Sequence, residues 1–210
     1  MSQYAVDVAK QLLNIKAIKL QPQNPFTWAS GWKSPIYCDN RKALSYPEVR
    51  NYIKTAFAQL AKEKYANVDV IAGVATGAIA QGALVADLLG KPFVYVRSAP
   101  KDHGLANLIE GDIKAGQKVL VIEDLISTGS SSLKAVDALR NAQCEVVGML
   151  AIFTYGFPIA EEAFQKAGVE LTTLSNYQEM IGAAVEIGYV TSDDVAKLQE
   201  WRRNPAEWGK

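Results

Sequence analysis

The sequence predicts an α/β fold, a parallel-stranded sheet with helices on both faces. Three observations predict it. Val119, Leu120, Val121 and Ile122 form an apolar run with nothing polar alternating, the pattern of a strand buried on both faces. From Asp69 onward, short apolar runs alternate with segments of helical period, the rhythm of parallel strands joined by crossover helices. Two of those strands run into small-residue loops, at 73–77 and 127–131, on the carboxyl edge where open parallel sheets take ligands.

Each element has its own signal. Residues 3–18 are expected to form a helix, with Val8, Leu12 and Ile15 at helical spacing and Leu13 and Ile18 widening the apolar face; Pro22 and Pro25 mark the loop that ends it. Phe26-Thr27-Trp28 and Ile36-Tyr37-Cys38 read as two short strands around a Ser30-Gly31 turn, a hairpin lying over something else. Ser45 with Glu48 reads as a capping box, and Pro47 as the first turn of a helix carrying Val49, Ile53, Ala56, Phe57 and Leu60. Asp69 to Val74 is an expected strand, Ala78 to Leu89 a small-residue helix closed by Gly90, and Phe93 to Arg97 the next strand. A polar segment, Ser98 to Gly111, separates it from the central strand. Beyond that strand, Leu133, Val136, Ala138 and Leu139 mark an amphipathic helix. Glu145 to Phe153 and Val169 to Leu174 are further strands with a helix near Ile159–Lys166 between them, and Thr191 and Asp194 cap a last helix through Trp201.

Composition excludes several classes of function. A chain of 210 residues fits one domain with a substantial core. Lys plus Arg and Asp plus Glu balance at 22 each, so no overall field recruits nucleic acid or an acidic membrane. Cys38 and Cys144 lie far apart without CxxC spacing, which suggests neither a metal site nor a disulfide framework; Cys144, just before a strand, reads as an inert buried thiol. No charged-then-apolar leader or long apolar run is present, so a cytoplasmic enzyme is expected. No GxGxxG follows a strand, which disfavours a nicotinamide cofactor.

The chemistry concentrates in Lys118 to Leu133. Behind the apolar run stand two adjacent carboxylates, Glu123 and Asp124, then Ser127-Thr128-Gly129-Ser130-Ser131 and a helix start. The loop and first helical turn offer unpaired N–H groups and the positive end of the helix dipole, which suits a phosphate monoester. Two acids beside such a cradle would repel a bare phosphate, so they face ribose hydroxyls or a divalent cation. A ligand with a phosphate at one end and a diol at the other is a ribose 5-phosphate. A plain strand-to-helix turn with capping hydroxyls accounts for the serines but leaves the acid pair unexplained. The Gly-containing loop at 73–77 allows close backbone approach and suits a second phosphate group. His103, the chain's only histidine, sits two residues from Lys101 in a loop too polar for a core.

Strand, acid pair and Thr-Gly loop together resemble the phosphoribosyl pyrophosphate (PRPP) motif of type I phosphoribosyltransferases. Phe26-Thr27-Trp28-Ala29-Ser30-Gly31 with Lys33-Ser34-Pro35 resembles the N-terminal signature of orotate phosphoribosyltransferases, and Arg97 with Lys101-Asp102-His103-Gly104 resembles that family's mobile catalytic loop. The matches run in order over nearly the whole chain. The resemblance implies one phosphoribosyltransferase domain over residues 1–210, with a small hood contributed mainly by residues 1–45. It implies transfer of ribose 5-phosphate from PRPP to orotate, giving orotidine 5′-monophosphate and pyrophosphate in pyrimidine synthesis. The same core on another base, or kept as a PRPP-sensing regulator, is the alternative.

Carried over by position, Lys101, His103 and Asp124 are the catalytic candidates. Glu123 and Asp124 face the ribose hydroxyls, while Leu125, Ile126, Ser127, Thr128, Gly129, Ser130 and Ser131 wrap the 5′-phosphate. Ala75, Thr76 and Gly77 form the pyrophosphate loop, with Arg97, Lys101 and His103 meeting the same group. Ser127, Lys33 and Tyr37 face orotate. Mg²⁺ is expected, mainly through PRPP, and a homodimer in which the 98–111 loop closes over the partner's site. Three positions depart from members of the family: Ala29 and Ser98, where some have lysine, and Cys38, where some have a second aromatic beside Tyr37.

Overall fold

The computed structural model describes residues 4–28, 31–99 and 108–209. The first helix, α1 (Ala5–Asn14), buries Val8, Leu12 and Leu13 as their spacing requires. It stops earlier than expected. Lys16 adopts a left-handed φ of 55°, the chain turns, and Ile18 leads β1 (Ile18–Leu20) instead of the helix's last turn. An apolar residue at helical spacing serves a buried strand equally well, so the period alone could not place this end.

The expected hairpin is two ribbons. β2 (Phe26–Thr27) pairs antiparallel with β3 (Lys33–Ser34), whereas β4 (Ile36–Cys38) pairs antiparallel with β1. Pro35 stands between β3 and β4 and has no N–H to extend a ladder, so the chain changes partner there. A 3-10 turn (Asn40–Ser45) then leads into α2 (Pro47–Lys64). The Ser45–Glu48 capping box does not form: Ser45 is spent in that turn, Tyr46 precedes the helix without a side-chain cap, and Pro47 opens it with its fixed φ.

The central sheet follows from β5 (Val70–Val74), β6 (Phe93–Val96), β7 (Ile109–Glu110), β8 (Lys118–Ile126), β9 (Glu145–Thr154) and β10 (Leu171–Asn176), in the order β10-β9-β8-β5-β6-β7. Every pairing is parallel except β6 with β7, so the expected parallel sheet carries one antiparallel edge strand, built from two residues of the segment read as loop. β10 begins two residues later than its apolar pattern suggested.

The helices α3 (Ile79–Leu89), α4 (Ser130–Asn141), α5 (Pro158–Ala167), α6 (Tyr177–Glu186) and α7 (Ser192–Arg203) cover the faces. Gly90 closes α3 at φ 63°, and the Thr191–Asp194 capping box opens α7 as expected. Helix α6 had no reading of its own in the sequence. The two cores divide by strand alternation: Leu120 and Ile122 of β8 pack with α1, α2 and α6, while Val119 and Val121 pack with α4 and α5. Among the described residues, no helix is long and apolar enough to cross a membrane.

Candidate active site

The carboxyl ends of β5, β8 and β9 share one edge, and the ribbons β1–β4 lie over it. β8 is longer than the apolar run that announced it, so Glu123 and Asp124 lie inside the strand and point to opposite faces. Glu123 turns inward and is 5% exposed. Its Oε2 accepts from the Ser132 hydroxyl at 2.7 Å, and its Oε1 from the Asp124 backbone N–H at 2.8 Å. Burial first, then the neighbouring Asp124 charge, pushes its carboxyl up to about 8, while the Ser132 bond pulls the other way. Burial thus favours the protonated form of Glu123.

Asp124 faces the cleft. Its carboxylate lies against the Gly77 backbone, and a Cβ at 77 would push it aside. The backbone of Asp124 is held from above: buried Asn40 donates Nδ2–H to its carbonyl at 2.7 Å. Beside it, Arg41 donates to Asp39 at 2.7 Å, which holds the Asp39 carboxyl below the usual range. Ala75, Thr76 and Gly77 line the opposite wall; the Ala75–Thr76 peptide is cis, and the Ala75 N–H bonds the Val96 carbonyl at 2.8 Å.

The loop after β8 turns at Gly129, whose φ of 78° and 2.8 Å clearance between a built Cβ and the Phe164 ring both exclude a side chain. No side chain caps α4, so its first-turn N–H groups face the cleft edge together with exposed Ser130 and Ser131. Ile126 of the same stretch is fully buried in the core and can offer a ligand only its backbone.

Two cavities open on this edge. One, of about 400 Å³, is polar and contains Arg41, Thr76, Gly77, Asp124 and Ser131. The other, of about 330 Å³, is lined by Thr27, Trp28, Tyr37, Ser127 and Tyr155. Cys38 and Leu125 border both, so the cavities form one cleft with a charged half and an aromatic half. Cys38 donates Sγ–H to Asn40, and burial, then the Asp124 and Asp39 charges, raise its thiol well above its ordinary value, so it is no thiolate.

Among the expected site residues, Glu123, Asp124, Leu125, Ser127, Ser131, Ala75, Thr76, Gly77 and Tyr37 come together at this cleft. Lys33 does not line it: its ammonium donates to Thr27 at 2.8 Å on the exposed side of the ribbon. Arg97 stands past the end of β6, 3.4 Å from Glu110, outside both cavities. Lys101 and His103 lie outside the described residues, as does Ala29. Asn40, Arg41, Ser132 and Tyr155 were missed. Tyr155 had a usable signal, being the residue after a parallel strand on the ligand edge; for Asn40 and Arg41 nothing in the local sequence marks their reach to β8.

The Phosphoribosyl transferase domain family matches residues 44–184. The chain is 64% identical over 200 residues to an orotate phosphoribosyltransferase of Bacteroides thetaiotaomicron, covering 95% of this chain and 94% of that protein. Among solved structures it is similar to an orotate phosphoribosyltransferase of Aeropyrum pernix, with a TM-score of 0.74 and 27% identity over 88% of this chain and 99% of that one. It is also similar to a Leishmania donovani UMP synthase, with a TM-score of 0.79 and 26% identity; 94% of this chain is covered but only 42% of that longer one.

Proposed function

The chain belongs to the phosphoribosyl transferase family and, within it, to the orotate phosphoribosyltransferases, and from that premise we propose that its cleft joins orotate to PRPP, giving orotidine 5′-monophosphate and pyrophosphate. The observation that carries the reading is the divided cleft itself. Its charged half has the volume and the Arg41, Thr76 and Ser131 donors for a phosphorylated ribose, and its aromatic half has room for a planar ring.

The 5′-phosphate sits at the 127–131 loop, which offers the uncapped first-turn N–H groups of α4 and the hydroxyls of Thr128, Ser130 and Ser131. Asp124 accepts from the ribose hydroxyls, and the 75–77 loop takes the pyrophosphate end. As the C1–pyrophosphate bond breaks, positive charge grows on the ribose ring and negative charge on the leaving oxygens. The Asp124 carboxylate, on a backbone held by Asn40, faces the cleft where the first develops. The base approaches from the aromatic half, so its nitrogen meets C1 on the side opposite the leaving group. Keeping bulk water out of this cleft protects PRPP from hydrolysis.

Mg²⁺ supplies charge neutralisation to the pyrophosphate. Among the described residues no cluster of three or more His, Cys, Asp or Glu could hold a metal; in this reading the ion would be carried chiefly by the oxygens of PRPP. Lys101 and His103 contribute cations to the leaving group from the 98–111 loop of the partner subunit in a homodimer. Arg97 acts with them at the pyrophosphate, and Lys33 beside orotate once the base is bound. One domain over residues 1–210, hooded mainly by residues 1–45, and a cytoplasmic setting complete the reading. Incubation with PRPP, Mg²⁺ and a panel of pyrimidine and purine bases tests it: loss of orotate absorbance with release of pyrophosphate is expected, and turnover of a different base alone would overturn it.

A further inference from the structure

The aromatic half of the cleft has a wall that matches none of the expected contacts. Tyr155 follows the last residue of β9 and lines the cavity beside Tyr37 and Cys38. Its ring is fixed on several sides. It stacks on Phe157 with centroids 5.4 Å apart, meets Phe153 and Trp201 edge-on at 5.7 and 5.8 Å, and lies 5.5 Å from Trp28. The backbone is fixed as well. The Tyr155 N–H donates to the Ile126 carbonyl at 3.1 Å, and from α7 Arg202 donates Nε–H to the Tyr155 carbonyl at 3.0 Å and Nη2–H to that of Gly156 at 2.7 Å.

The hydroxyl is the exception to this order. Tyr155 is 2% exposed, and no hydrogen bond among the described residues ends on its hydroxyl. Interior tyrosines ordinarily satisfy that group, because a buried hydroxyl has given up water and needs a replacement. Tyr177, on the far side of the same aromatic cluster, obeys the rule by donating to the Leu198 carbonyl at 2.9 Å. A packed ring at the wall of an open cavity, its hydroxyl bonded to no described residue, is completed by whatever fills the cavity.

We propose that Tyr155 is a base-recognition residue whose phenolic O–H donates to an exocyclic oxygen of the pyrimidine seated against Leu125 and Ser127. The inference rests on the orotate reading above and deepens it. Burial first, then the nearby Cys38, Tyr177 and Tyr37, raise the phenol well above its ordinary value, so the group is a neutral donor at any working pH. Among the described residues no lysine or arginine side chain lines this half of the cleft. On this wall the base meets directed neutral donors, an arrangement that rejects analogues lacking the matching acceptor more strongly than an apolar slot does.

Tyr155→Phe tests this, since it removes the hydroxyl and keeps the packed ring. The KM for orotate is expected to rise roughly tenfold, the size of one lost hydrogen bond to an anionic ligand, with the KM for PRPP changed by less than about twofold. The melting temperature of the variant is expected to stay level, because the packed ring is kept and no hydrogen bond to a described residue is lost. An unchanged KM for orotate overturns the proposal. So does a fall in melting temperature with both KM values rising together, which marks a structural hydroxyl. Wild-type turnover of orotate is measured alongside; if another base is the one consumed, the orotate reading fails by itself, and the Tyr155 assignment is judged on the KM for that base.

Discussion

Asp124 and Glu123 are neighbours in sequence with opposite circumstances, and the difference is strand alternation. Asp124 is aimed at the cleft, its carboxylate beside Gly77 and its backbone carbonyl held by Asn40. Asp124→Asn should therefore fold normally and lose on the order of a hundredfold in turnover, the usual scale for one lost transition-state contact; near wild-type rates at saturating PRPP would remove it from the mechanism. Glu123 instead gives a pH signature. Its folded pKa is raised to about 8 from an ordinary 4.5. Between those values the folded protein holds a proton that the unfolded chain has released, so this residue lowers stability as pH rises through the window. Glu123→Gln retains the shape without the ionisation. Melting curves from pH 5 to 9 should show the variant gaining on wild type as pH rises, with little difference near the acid end. Parallel curves would mean that Ser132 and the Asp124 N–H hold Glu123 ionised throughout.

At the scale of elements, the site depends on where strands stop and helices begin. The turn from β8 into α4 has no side-chain cap, and its geometry rests on Gly129 in left-handed conformation under the Phe164 ring. Gly129→Ala adds both backbone strain and a clash, an expected loss of about 1–3 kcal/mol in denaturant unfolding. Displaced N–H groups should also raise the KM for PRPP more than that for orotate. Equal stability for the two proteins would show that the loop relaxes without cost. The hood acts through its 3-10 turn: Arg41 and Asn40 reach β8 only because β4 pairs with β1 and ends above it.

At the scale of the whole molecule, the reading requires two chains. If the 98–111 loop serves the partner's cleft, Lys101→Ala and Asp124→Asn damage different halves of a composite site. Each mutant homodimer should be nearly inactive. Re-dimerised from equal amounts, about half of the dimers are mixed, each with one intact site of two, so roughly a quarter of wild-type activity should return. Verified subunit exchange without recovery would place the loop over its own subunit.

The α/β fold class, six of the seven α-helices among the described residues and the phosphate-binding edge were legible in the sequence, because each rests on local physics. An unalternating apolar run means a strand covered on both faces, as Val119 to Ile122 are, and a Thr-Gly-Ser loop before an apolar period means an open helix start. Pairing and reach were not legible. Whether Ile36–Cys38 joins Phe26–Thr27 or Ile18–Leu20 depends on partners distant in sequence, whereas helix α6 carried local signals that went unread, the Asn176 cap on the Glu179 N–H and an apolar period at Tyr177, Met180, Ile181 and Ala184. The same limit applies to the base end of the cleft. Nothing near Tyr155 in the sequence reveals that five aromatic rings and an arginine from α7 would lock its ring and leave only the hydroxyl for a ligand, because that arrangement exists only once β9, the hood and the last helix have come together.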